Sequence, residues 1–243
     1  SYDRGLLAHV DFGLADLIAM VVSQEQSCRF CYAVNRAVLR VRGMSEARLE
    51  ELEDRLSRLD VSPREQAALA FARRMSRSAP LIRAEDRARL AAAGFGPEER
   101  LEIAFVVSYL AFANRVATIP AIPPYGLEKM PDRWLTRLLR PLLARILAAH
   151  TARGEPTPMP AAPQGPHAGL IQAFAGSPIA PRLAEVLEEA WASPLLTRRC
   201  KALLFAVVGQ ALGCPRTAAA MQPLLVAEGL PEVEIAQLLS HLH

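Results

Sequence analysis

The chain has 243 residues, of which 51% are hydrophobic, 22% charged and 6% aromatic, and it carries a net charge of +3. It is long enough to bury the core of one large domain or two modest ones, and too apolar for a disordered chain. Lysine occurs only at Lys129 and Lys201, and the arginines are scattered along helical segments and mixed with Asp and Glu, so no basic stripe forms and nucleic-acid binding is not expected.

Helical signals begin with the apolar stretch at 13–24. Ser27 is placed to cap the next helix, with Cys28 in its first turn and an end near Gly43. Residues 45–59 offer Ser45 as a cap and Leu49, Leu52, Leu56 and Leu59 at helical spacing. Ser62, Pro63 and Glu65 then read as a capping box for a helix over 62–78. A shorter helix stops at Gly94 and Gly96, and a long apolar one over 97–119 is ended by prolines 120, 123 and 124. Its most apolar run, residues 103–113, is short for a bilayer and is closed by Asn114 and Arg115, so it reads as a core helix. No signal peptide or transmembrane span is visible and no membrane partner is expected; the start at Ser1 leaves room for a leader or further sequence before it.

Residues 132–150 form an amphipathic segment with Trp134, Leu138, Leu142 and Ile146 on one side, and Pro141 is expected to kink or split it. The pattern predicts a packing helix with a solvated basic face. Five prolines fall between 152 and 166, the composition of a linker, and helical patterning resumes at about His167. With no alternating strand pattern, the fold class is all-α. The domain layout is 1–130, a connecting helix at 131–151, a linker at 152–166 and a further unit at 167–243.

The last unit echoes the first. Shifting the chain by 186 residues lays Leu17, Val21, Val22, Gln24 and Cys28 over Leu203, Val207, Val208, Gln210 and Cys214, with Ala33, Leu39 and Gly43 over Ala219, Leu225 and Gly229. Two helices and the turn between them occur twice. The second copy has lost its chemistry: Thr217 stands for Cys31, Ala202 for Asp16 and Met221 for Asn35.

Cys28 and Cys31 form the one close pair of cysteines. At a helix start the first thiol meets unpaired N–H groups that favour thiolate, and the second lies one turn along the same face. Asn35 follows a further turn along, and Asp16 lies on the preceding helix, where a fold-back between Gln24 and Ser27 could bring its carboxylate near. Such a pair suits thiol–disulfide exchange. A structural zinc needs four ligands, which nothing nearby supplies, and two buried core thiols are the plain alternative. Four cysteines in so long a chain fit a reducing cytoplasm. No cofactor or metal is expected.

Asp16, eleven residues, Cys28-Arg29-Phe30-Cys31, three residues and Asn35 resemble the signature of the alkylhydroperoxidase and carboxymuconolactone decarboxylase family, in its peroxidase-related branch with C-x-x-C. The resemblance runs over residues 10 to 125. It implies a helical bundle of the alkylhydroperoxidase-like type, here internally duplicated with a degenerate second copy, and a homo-oligomer. By that resemblance Cys28 and Cys31 are the catalytic dithiol, reducing a small-molecule peroxide or disulfide or passing electrons to a peroxiredoxin or thiol-reductant partner. Asp16 takes the place of the family's usual Glu in a proton relay, and Asn35 that of its His. An amide cannot act as a general base, which implies slow or rerouted turnover. Family members assign the attack to the second cysteine, helix electrostatics favour the first, and the order stays open. A non-catalytic assembly module with a vestigial dithiol is the rival reading; lactone decarboxylase or isomerase chemistry ranks below it, since such members generally work without C-x-x-C.

Overall fold

The computed structural model describes residues 5–54, 61–78, 82–149, 155 and 167–241. Among them there are helices and turns and no strand. Leu56, Leu59 and the 152–166 stretch, apart from Glu155, lie outside the described residues. The chain divides into two compact units, Ser1–Glu155 and Pro156–His243.

The first unit is built around α1 (Phe12–Glu25), which Asp11 caps by accepting the Gly13 N–H at 2.7 Å. Every residue from Leu14 to Ser23 is buried, as expected of a helix apolar on all sides. It is surrounded by α2 (Arg29–Val41), α4 (Pro63–Ser78) and α6 (Pro97–Thr118). Ile18, Met20, Leu69 and Ile103 are fully enclosed there, each contributing about 1.5–3 kcal/mol relative to exposure. Two shorter helices, α3 (Glu46–Asp54) and α5 (Ala84–Ala92), complete the bundle. The capping box forms as the sequence predicts: the Ser62 N–H donates to Glu65 Oε2 at 2.8 Å and the Glu65 N–H to Ser62 Oγ at 3.2 Å. Ser45 Oγ accepts the Arg48 N–H at 3.2 Å, and Gly43 closes α2 with φ +110°.

α6 is long and apolar enough, by length and composition, to cross a membrane, which the shorter run singled out in the sequence is not. In the fold it is a core helix: Ile103, Val106, Val107 and Leu110 are buried. Glu102, 1% exposed, turns its carboxylate onto the chain entering α1 and accepts the N–H groups of Ala8, His9 and Val10 at 2.7–3.2 Å.

A 3-10 turn (Leu127–Asp132) leads into α7 (Trp134–Ala149), which runs unbroken through Pro141. Its apolar stripe does not pack as expected. No α7 residue is buried, and Trp134, Leu138, Leu142 and Ile146 are exposed. Arg140 instead faces α2, donating from Nε to the Val41 carbonyl at 3.4 Å. That carbonyl lies at the end of α2, where backbone acceptors have no helical partner and favour a cation.

The second unit comprises α8 (Ala168–Ala173), α9 (Ile179–Ala192), α10 (Arg198–Ala211), α11 (Pro215–Ala227) and α12 (Glu232–Ser240). The first and last residues of α10, α11 and α12 fall 186 positions after those of α1, α2 and α3. The turns match bond for bond. The Cys28 N–H donates to Ser23 O at 3.1 Å, and the Cys214 N–H to Gly209 O at 3.2 Å; Met44 N–H to Leu39 O recurs as Leu230 N–H to Leu225 O. The duplication read from the sequence is therefore a duplication of structure.

Candidate functional site

The turn between α1 and α2 sets the site. Ser27, expected as the cap, takes a left-handed conformation instead (φ 54°), and Cys28 becomes the residue that caps α2. Its Sγ accepts the Cys31 N–H at 3.3 Å. The sulfur thus stands at the positive end of a helix, against an amide with no other helical partner. Cys31 is one turn on. Burial, a hydrogen bond to Cys28 and the charge of Cys28 push its thiol up to about 12, so Cys31 keeps its proton at neutral pH.

Cys28 is 3% exposed, yet it lines an open cleft of about 540 Å³ together with Ser23, Gln24, Ser27, Arg29, Tyr32, Ala33 and Pro124. Both cysteines are free thiols.

Behind the pair lies a polar chain. Asn35 Nδ2 donates to Ser23 Oγ at 3.0 Å and to the Ala19 carbonyl at 3.3 Å. Ser23 Oγ in turn donates to Asn114 Oδ1 at 3.5 Å. Ser23 is fully buried and Asn114 is 1% exposed, and Asn114 Nδ2 has no hydrogen-bond partner among the described residues. A buried amide donor left open is costly.

Asp16 faces elsewhere. Its Oδ2 lies 2.5 Å from Arg42 Nε, at the C-terminal end of α2. Ser23, which stands level with Asn35, is two turns further along α1, roughly 11 Å away at 1.5 Å per residue. Burial pushes the Asp16 carboxyl up to about 6 despite the opposing pull of Arg42. The structure therefore sets Cys28 and Cys31 one turn apart, with Asn35 a further turn along α2 against Ser23, and holds Asp16 at the other end of the helix pair. Sequence reading missed Ser23, Asn114 and Arg42. The signal for Ser23 was available, because its counterpart in the duplicated segment is Gly209.

The second copy shows what the chemistry replaced. Met221 occupies the place of Asn35 and is 2% exposed. A Cβ on Gly209 would stand 2.1 Å from Thr217 Cγ2 and 3.3 Å from Met221 Sδ. Hydrocarbon and sulfur fill the space that a hydroxyl and an amide occupy in the first copy. Among the described residues, no three His, Cys, Asp or Glu side chains gather as a metal site requires.

No protein-family model matches the chain, and no curated protein matches it. Two solved structures of uncharacterized peroxidase-related proteins are similar to it. One, from Ralstonia eutropha JMP134 and described as an alkylhydroperoxidase AhpD core, is 21% identical over 50% of this chain and 65% of that one, with a TM-score of 0.46. The other, from Silicibacter sp. TM1040, is 27% identical over 47% of this chain and 60% of that one, with a TM-score of 0.45. In both cases the chain spans less than two thirds of the matched structure's length.

Proposed function

We propose that the chain is a thiol–disulfide oxidoreductase that reduces small peroxides or disulfides through a Cys28/Cys31 cycle. The observation that carries this reading is Cys28: its sulfur caps α2, the residue borders an open cleft, and Cys31 lies one turn away. The Cys28 sulfur accepts the Cys31 N–H at the start of α2, and the environment of Cys31 favours the thiol, which makes Cys28 the attacking sulfur. Its thiolate takes the terminal oxygen of a hydroperoxide, the O–O bond breaks, and the leaving oxygen acquires a proton to depart as alcohol or water. Cys31 sulfur then displaces hydroxide from the sulfenic acid, its proton leaves with that oxygen as water, and the disulfide forms. Two electrons have passed to the peroxide, and a thiol reductant or peroxiredoxin-type partner in a reducing cytoplasm restores the dithiol.

Asn35 supports this cycle by orienting Ser23, whose hydroxyl can shift from Asn114 to an oxygen in the cleft. Without a titratable base in that chain, turnover is slower than a relay through imidazole would allow. Asp16 acts at a distance, holding the end of α2 through Arg42.

A second reading, a helical assembly module with a resting dithiol, draws on the 3% exposure of Cys28. Peroxide added to the protein separates the two. We expect a rapid loss of two thiols, and in Cys31→Ser an accumulating sulfenic acid at Cys28 that a dimedone probe traps. An unchanged thiol count would favour the assembly module.

A further inference from the structure

We propose that Arg29 makes the cleft selective for anionic substrates, specifically disulfides or hydroperoxides that carry a carboxylate. This inference rests on the dithiol reading above and adds a substrate class to it.

Three observations carry it. Arg29 lines the cleft immediately beside Cys28, and none of the other lining residues is charged. Arg29 is exposed and makes no ion pair or hydrogen bond among the described residues. The nearest carboxylate along the chain, Glu25, follows the cleft residue Gln24 and is already shared by Arg73 and Arg77, the first at 2.7 Å. Glu25 is thus engaged away from Arg29, which among the described residues is the one charged residue lining the cleft.

Arg29 is also poorly placed for stability. It is the first residue of α2, where the helix dipole disfavours a positive charge. In the second copy that position is Pro215, a residue suited to a helix start. A cation retained at an unfavourable position, open to a cleft without acids, has a ligand-binding role. A carboxylate on the substrate would satisfy it while the sulfur or oxygen to be attacked sits over Cys28.

The test compares two aromatic disulfides that react stoichiometrically. One is the dianionic 5,5′-dithiobis(2-nitrobenzoate) and the other the neutral 4,4′-dithiodipyridine. With either probe, Cys28 thiolate breaks the probe's S–S bond and expels one aryl thiolate. Cys31 sulfur then attacks the mixed disulfide, loses its proton to solvent and expels the second. The full chain carries Cys200→Ser and Cys214→Ser so that only the pair reports.

We expect the dianionic-to-neutral rate ratio to fall on the order of five- to tenfold in Arg29→Gln, the size of one partly screened charge pair. It should fall further in Arg29→Glu and be largely kept in Arg29→Lys. Thermal stability should be equal or higher in Arg29→Gln. An unchanged ratio in Arg29→Glu, or an equal slowing with both probes, overturns the inference and leaves the dithiol reading intact. A pair inert to both probes overturns the dithiol reading itself.

Discussion

At the scale of single residues, the account depends on what surrounds each polar atom. Asp16 is the clearest case, because its carboxyl is raised to about 6 in the folded protein against an ordinary value of 3.8. A raised carboxyl favours the folded state only while protonated, so its contribution is full below about pH 4 and is lost as pH rises through about 6. Asp16→Asn should remove that slope. Between pH 4 and pH 7 the variant should lose less stability than the wild type by about 2–3 kcal/mol in urea titrations, and parallel pH profiles would contradict the assignment. Ser27 illustrates local strain at the site, with φ 54° where the second copy has Gly213 at 59°. Ser27→Gly should stabilise the protein by about 1 kcal/mol in the same measurement. The sequence made Cys28, Cys31 and Asn35 legible because their spacing is helical and short. It could not reveal that Asp16 pairs with Arg42, since that contact depends on the register of two antiparallel helices.

At the scale of elements, helix ends were the most legible feature. Ser62 with Glu65, Ser45 and Gly43 all do what their chemistry predicts. α7 was misread in one respect: the stripe of Trp134, Leu138, Leu142 and Ile146 is exposed, and the half-buried residues are Thr136, Leu143, Ala144 and Leu147, beside Arg140, which reaches the Val41 carbonyl. The Glu102 clamp was not legible at all, because it joins α6 to residues more than ninety positions away. Glu102→Ala should cost about 3 kcal/mol by stripping several buried N–H groups of their acceptor, visible as a large fall in the urea midpoint. In the second unit, Gly209→Ala should destabilise by about 1–3 kcal/mol through collision with Thr217. Adding Thr217→Ala should recover most of that loss, and purely additive effects would show that the two side chains do not compete for one space.

At the scale of the whole molecule, the duplication explains why one chain carries one dithiol. The shared helix boundaries preserve the scaffold in both units, while Ser23, Cys31 and Asn35 are matched by Gly209, Thr217 and Met221 in the second. The homo-oligomer expected from the family resemblance fits the exposed Phe112, Ile119, Trp134 and Leu138 of the first unit. Leu138→Glu with Leu142→Glu should lower the mass seen by light scattering, and a monomer in both proteins would remove that expectation. The central claim is the two-electron cycle, and it is tested most directly by mass spectrometry of the intact chain and its peptides after brief exposure to hydrogen peroxide. The account predicts a loss of two hydrogens, confined to the peptide that holds Cys28 and Cys31, and their return on adding a thiol reductant. Oxygen adducts without a disulfide, or oxidation confined to Cys200 and Cys214, would contradict it.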